Sequence, residues 1–190
     1  MAKTESSMLT LGTVAPSFAL MDVGTQRIIT LETHKGSVAT IIAFICNHCP
    51  YVKHINHELP RLAADFADKG VSLIAINAND VSQYPDDSPA CMQSSAKEMG
   101  YCFPYLYDET QEVALAYQAR CTPDFFVFDQ QLQLVYRGQL DDSRPGNNIP
   151  VSGASIREAL QALINKTPVS PIQKASIGCN IKWKADVIPA

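Results

Sequence analysis

Val38-Ala-Thr-Ile-Ile-Ala-Phe-Ile45-Cys46-Asn47-His48-Cys49-Pro50-Tyr51-Val52 is the stretch that decides how this chain folds. Residues 38–45 form a nearly continuous, β-branched apolar run, the pattern of a central strand covered on both faces. Beyond the cysteines, Val52, Ile55, Leu59, Leu62, Ala63 and Phe66 recur at spacings of three and four. That periodicity predicts one apolar face of a long helix, kinked by Pro60 and stopped by Gly70. Residues 71–77 read as the next buried strand. Strand, helix and strand then form a βαβ unit with a right-handed crossover, so part of the sheet is parallel.

Working outward, short apolar segments at 18–21 and 27–31 flank Asp22-Val-Gly-Thr-Gln26 and predict an N-terminal β-hairpin. Residues 77–89 read as a long polar loop, followed by a helix over about 88–99, a short strand near 103–107 and a short helix over about 110–117. The β-rich runs 125–128 and 132–137 should pair antiparallel. Ser155 and Glu158 have capping-box spacing, so a last helix should begin there and end near Asn165. The expected class is α/β, a central mixed sheet with helices on both faces, in a domain of residues 1–165. Residues 166–190 form an extended C-terminal tail. Pro168, Pro171 and Pro189 forbid a continuing helix there. Ile177, Cys179, Ile181 and Trp183 alternate with Gly178, Asn180, Lys182 and Lys184, the period of a half-buried strand. The tail should therefore dock on the same domain, with Cys179 turned inward as a structural thiol rather than a redox partner of Cys46.

A chain of 190 residues, 46% apolar and 18% charged, is long enough for one domain with additions and too apolar for disorder. Its 15 basic against 19 acidic residues give a net charge of −4, which argues against nucleic acid or anionic lipid as partner. The longest apolar run is less than half of the roughly 20 residues a membrane span requires. Met1-Ala-Lys-Thr-Glu-Ser-Ser-Met8 leads into no signal-peptide core, so the expected compartment is the cytoplasm. There, the six cysteines are expected mostly as thiols.

Cys46-Asn47-His48-Cys49 joins the buried strand to the helix. Cys46 is expected in or just before the first helical turn, where free N–H groups favour a thiolate. A charged His48 would act in the same direction. Cys46 then attacks a disulfide and Cys49 resolves the mixed disulfide. The competing readings are inert core thiols and a zinc site of Cys46, Cys49, His54 and His57, whose members a helix spreads too widely to converge easily. Cys121-Thr122-Pro123 precedes a strand; Cys121 is a possible third exchanging thiol or a buried small hydrophobe. Cys91 and Cys102 read as structural, His34 as a loop residue, and His54 and His57 as helix surface or partial core.

Gly12-x-x-Ala15-Pro16-x-Phe18, Cys46-x-x-Cys49, Glu58-x-Pro60-x-Leu62 and Thr122-Pro123 together make residues 10–140 resemble the thioredoxin fold in its redoxin, AhpC/TSA or peroxiredoxin-like branch. Cys46-Asn-His-Cys-Pro-Tyr-Val52, Tyr136-Arg-Gly138 with Asp141-Asp-Ser-Arg-Pro145, and Ser176-Ile-Gly-Cys-Asn-Ile-Lys-Trp183 are similar to one bacterial subgroup. The resemblance implies a thiol–disulfide oxidoreductase with antioxidant character and no cofactor or metal. Its substrates would be disulfide-bearing proteins or small thiols, re-reduced by a thiol system such as thioredoxin or glutathione. It also implies that Pro123 is cis, with Asn47, His48 and Thr122 supporting the thiols and the Thr122 backbone free as an edge for an extended peptide. A thiol peroxidase with Cys46 as peroxidatic thiol is the alternative, but the peroxiredoxin Thr and Pro would fall at 43 and 39, where this chain has Ala43 and Ala39. A third reading is a non-catalytic, metal-binding or copper-delivering redoxin, in which only His34 could add a distant ligand. Thr40 stands where thioredoxin has a buried acid; Asp80, Asp141 and Asp142 are expected as loop caps rather than proton acceptors.

Overall fold

The computed structural model describes residues 3–187, so Pro189 and the first two residues of the polar leader lie outside it. In chain order the elements are β1 (Lys3–Glu5), β2 (Ala19–Asp22), β3 (Ile28–Thr30), α1 (Leu31–His34), β4 (Ala39–Phe44), α2 (Pro50–Ile55), α3 (Glu58–Ala67), β5 (Val71–Asn77), α4 (Pro89–Met99), β6 (Tyr105–Tyr107), α5 (Glu112–Ala116), β7 (Cys121–Thr122), β8 (Asp124–Asp129), β9 (Leu134–Gly138), α6 (Ala154–Ile164) and β10 (Ile177–Asn180). A 3-10 turn, Pro85–Asp87, lies between β5 and α4. Among the described residues, no helix is long and apolar enough to cross a membrane.

The main sheet has the order β3-β2-β6-β5-β4-β8-β9. β5 is parallel to both β4 and β6, while β2–β3, β4–β8 and β8–β9 are antiparallel, so the sheet is mixed. Every residue of β4 is buried because helices cover both of its faces. On one face Ile41 and Ala43 pack with Leu59 and Leu62 of α3, Met92 of α4 and Leu160 of α6. On the other, Ile42 and Phe44 pack with Leu31, Ala114 and Tyr117. Thr40 is the polar member of the strand, and its hydroxyl accepts the Gly36 N–H at 3.0 Å. That bond gives the buried hydroxyl a partner.

The expected single kinked helix is two helices, α2 and α3, separated at Asn56 and His57. Pro60, inside the first turn of α3, has no N–H to give, and its ring would strike the carbonyl four residues back, that of Asn56. The chain breaks one turn ahead of the proline. The capping box also fails to form. α6 begins at Ala154 behind Gly153, which sits at φ +68°, and Ser155 is already inside the helix. The Ala154 and Ile156 N–H groups of the first turn go instead to Ser152 Oγ and Leu140 O, and Asp141 Oδ2 accepts from Ser152 and Gly153 N–H just ahead of the helix at 2.7 Å each. Cys91 and Cys102, expected as structural, are both exposed.

A second, small sheet pairs β10 with β1 on one side and β7 on the other, all antiparallel. The tail strand lies on the domain with Cys179 and Ile181 buried, but Gly178 and Lys182 are buried as well and Ile177 and Trp183 only partly so, which departs from the expected alternation. Its inward residues serve both faces of the domain: Cys179 joins the cluster of α3 and α6, whereas Ile181 and Trp183 pack against the opposite one. The partner strand β1 is Lys-Thr-Glu, whose polarity carries no strand signal of its own.

Candidate active site

β4 and β5 are parallel, so the segments leaving both run over the same edge of the sheet. The Ile45 N–H still bonds to Ile76 O at 2.9 Å, and the next four residues are the cysteine loop. Helix α2 starts only at Pro50, with Cys49 as its N-cap at φ −69°, ψ 124°. A proline disfavours helical geometry in the residue before it, so the helix cannot extend back toward Cys46. This corrects the expected placement of Cys46 in or next to the first turn: Cys49 holds that position.

Both sulfurs meet one residue. The Cys46 Sγ lies 3.2 Å from the Thr122 hydroxyl, and the Cys49 S–H donates to the Thr122 carbonyl at 3.1 Å. The Thr122–Pro123 peptide is cis. When Cys49 loses its proton, the Cys46 thiol is its strongest donor. The thiol and N–H of Cys179 and the N–H of Val52 add to that, and together they outweigh burial and hold Cys49 down to about 5. Burial pushes the Cys46 thiol up, and Cys49 and the Asp87 charge push the same way. These contacts lower the Cys49 thiol, while burial raises that of Cys46.

Asp87 is the residue that sequence reading missed. Carried by the 3-10 turn and fully buried, it accepts the Asn47 N–H at 2.7 Å, the His48 ring Nδ1 at 2.6 Å and the Asn79 side-chain amide at 2.8 Å. Burial opposes its charge, but His48, Asn79 and Asn47 prevail and hold it below the usual carboxylate range. Asn47 is pinned further by donation to Asp86 O at 2.8 Å and by the Tyr105 hydroxyl at 3.2 Å. His48 stacks on Tyr84 with ring centroids 5.2 Å apart. His48 is paired to Asp87 and so orders the cysteine loop. The signal for Asp87 lay in the parallel β4–β5 pair, which requires the loop after β5 to pass beside the cysteine loop.

Cys46, His48 and Asp87 place one ligand-type atom each within 4.8 Å of one another, the only such trio among the described residues. The carboxylate already takes the imidazole Nδ1 in a hydrogen bond, while the buried His48 Nε2 has no partner among the described residues. His54, His57 and His34 do not join the thiols, so neither the four-residue zinc set nor a copper site using His34 assembles. Asp80, Asp141 and Asp142 cap Ser82, bind the α6 start and pair with Lys174 respectively, as loop chemistry implied. Cys121 is fully buried, with its thiol directed to Pro123 O at 3.6 Å. Strand alternation turns it away from the face on which Thr122 meets Cys46. The Thr122 edge expected to receive a peptide is occupied: β10 pairs there, with Cys179 opposite Thr122.

The ionised thiol sets the pH dependence of stability. Its folded value, about 5, lies below the value of roughly 8.5 in an unfolded chain, so the stabilisation is present above 8.5 and lost as pH falls through 5. Cys46, Cys121 and Cys179 are shifted the other way, Cys179 up to about 12, so above about 8.5 they withdraw stability. Buried Asp124, raised well above the usual carboxylate range, opposes this in both redox forms, so urea unfolding should show the reduced protein gaining stability relative to its Cys46–Cys49 disulfide form between pH 5.5 and about 8 and losing that gain beyond 9.

A sequence model of the AhpC/TSA family matches residues 11–137. An uncharacterized conserved protein from Geobacillus kaustophilus is 60% identical, with coverage of 98% of this chain and 99% of that one and a TM-score of 0.97. A hypothetical protein from Sinorhizobium meliloti is 46% identical over 96% of this chain and 99% of the other, TM-score 0.93. A thiol:disulfide interchange protein of the thioredoxin family from Chlorobium tepidum shares 17% identity over 82% and 98% of the two chains, TM-score 0.62, a likeness of fold. No curated protein matches the sequence. The architecture is thioredoxin-like, a mixed sheet with helices on both faces.

Proposed function

The chain belongs to the AhpC/TSA family, and on that premise we propose that it is a thiol–disulfide oxidoreductase whose Cys46–Cys49 pair cycles between dithiol and disulfide. The observation that carries this reading is the arrangement of both sulfurs on Thr122, the Cys46 Sγ 3.2 Å from its hydroxyl and the Cys49 S–H donating to its carbonyl at 3.1 Å. Cys46 keeps what exposure the pair has, 2% against 0% for Cys49, and is the sulfur that meets substrate. As Cys46 attacks, its proton passes to the Cys49 thiolate, the substrate disulfide breaks, and one substrate sulfur leaves as thiolate. That thiolate takes the proton back from Cys49, which attacks Cys46 and expels the second sulfur. A monoanionic dithiol and a disulfide thus become a protein disulfide, one thiol and one thiolate. Substrates are disulfide-bearing proteins or small disulfides, and a thiol reductant of the thioredoxin or glutathione type closes the cycle.

Ala39 and Ala43 are fully buried strand residues and offer no hydroxyl for activating a peroxide. The test compares stopped-flow oxidation of the reduced protein by hydrogen peroxide with its oxidation by a peptide disulfide such as insulin. Faster reaction with the disulfide is expected. Faster reaction with peroxide would replace this reading by a peroxidase.

A further inference from the structure

Cys179 lies where the tail strand is held most tightly. Opposite it in the ladder is Thr122, the residue that contacts both sulfurs of the pair. A Cβ on the preceding residue, Gly178, would stand 2.0 Å from Thr122 O, so only glycine lets β10 approach this closely. On one side of Cys179 the Ser176 hydroxyl donates to Pro123 O at 2.5 Å. On the other, the Ile181 N–H bonds to Arg120 O at 3.0 Å and the Lys182 N–H to the side chain of Asn79 at 2.8 Å. Asn79 in turn donates to Asp87 under the cysteine loop.

The tail thus brings a third thiol into the site from a direction the loop does not use. Cys46, Cys49 and Cys179 belong to one buried cluster, and the Thr122 carbonyl that the Cys49 sulfur touches at 3.1 Å is the atom against which Gly178, next to Cys179, is pressed. A purely structural thiol would explain the burial of Cys179, but not its juxtaposition with a reactive sulfur across a strand that tolerates no side chain one residue earlier. Building on the oxidoreductase reading, we infer that Cys179 is a second disulfide partner of Cys49, taking Cys49 over from Cys46 in the oxidised protein. The Cys179 sulfur attacks the Cys49 sulfur, the Cys49–Cys179 bond forms as the Cys46–Cys49 bond breaks, and the proton lost by Cys179 ends on Cys46. No oxidant is consumed. The oxidising equivalent moves beneath the tail and Cys46 returns to the thiol state.

The experiment oxidises Cys46→Ser protein with diamide, blocks residual thiols in acid and maps disulfides by mass spectrometry without reduction. A Cys49–Cys179 linkage is expected. Recovery of both residues as blocked thiols, or a Cys49–Cys121 linkage, would overturn the inference. Wild-type protein quenched at intervals after oxidation guards against misfolding of the variant: a Cys49–Cys179 peptide should grow as the Cys46–Cys49 peptide declines, and its absence at all times counts against the relay. Insulin turnover by the wild type separates the two readings. Turnover without the second linkage removes the relay alone, and the second linkage without turnover removes the oxidoreductase reading alone.

Discussion

Cys49→Ala protein should lose turnover of a peptide disulfide by at least about 10³-fold while accumulating mixed disulfides on Cys46. The expectation follows from position: Cys49 lies beside Cys46 on the same Thr122 peptide group, so resolution is intramolecular. Effective molarities for such oriented reactions reach about 10⁵ M or more, far above any free thiol that could substitute. The wild type should show a thiolate absorbance step near pH 5 that this variant lacks, since Cys49 is the group held low. Turnover within tenfold of wild type, or a surviving step near pH 5, would shift both roles to another sulfur. Purification of mixed disulfides from cells expressing the variant would then identify the substrates.

Truncation after Lys174 should lower the melting temperature by about 10 °C, taking roughly 3–5 kcal/mol at about 2–4 °C per kcal/mol for a chain of this size. The loss removes Ile181 and Cys179, 1% and 3% exposed, the former worth about 1.5–3 kcal/mol in burial. It also removes the β10 ladders to β1 and β7 and the bonds from Lys182 and Lys184 to Asn79 and Gln111. Lower ordering entropy of the shorter chain offsets part of this. Stripping β10 from Thr122 also uncovers the Cys49 sulfur, so alkylation of Cys49 should accelerate in the truncated protein while that of exposed Cys91 is unchanged. An unaltered melting temperature would mean that the tail merely lies on the surface.

The sequence by itself determined what repeats along a strand or a helix and what is local. The apolar run of β4, the helix periodicity through Phe66, the β8–β9 hairpin, the Cys46-x-x-Cys49 turn and the period-two tail could all be read because each depends on residues near one another in the chain. Even local readings failed where two rules competed. Pro50 outweighed the helix start assigned to Cys46, Pro60 broke the helix a turn ahead of itself, and α6 began at Ala154 behind Gly153, which took Ser155 inside the helix. Tertiary structure decided the chemistry of the site, because ionisation depends on which groups surround a sulfur and those groups come from afar. Asp87 arrives 40 residues after Asn47, Thr122 lies 73 residues from Cys49, and Cys179 comes in on a strand whose register depends on Gly178 fitting against Thr122 O. Burial and hydrogen bonds set each thiol's proton affinity, and both are properties of packing that no one-dimensional pattern contains.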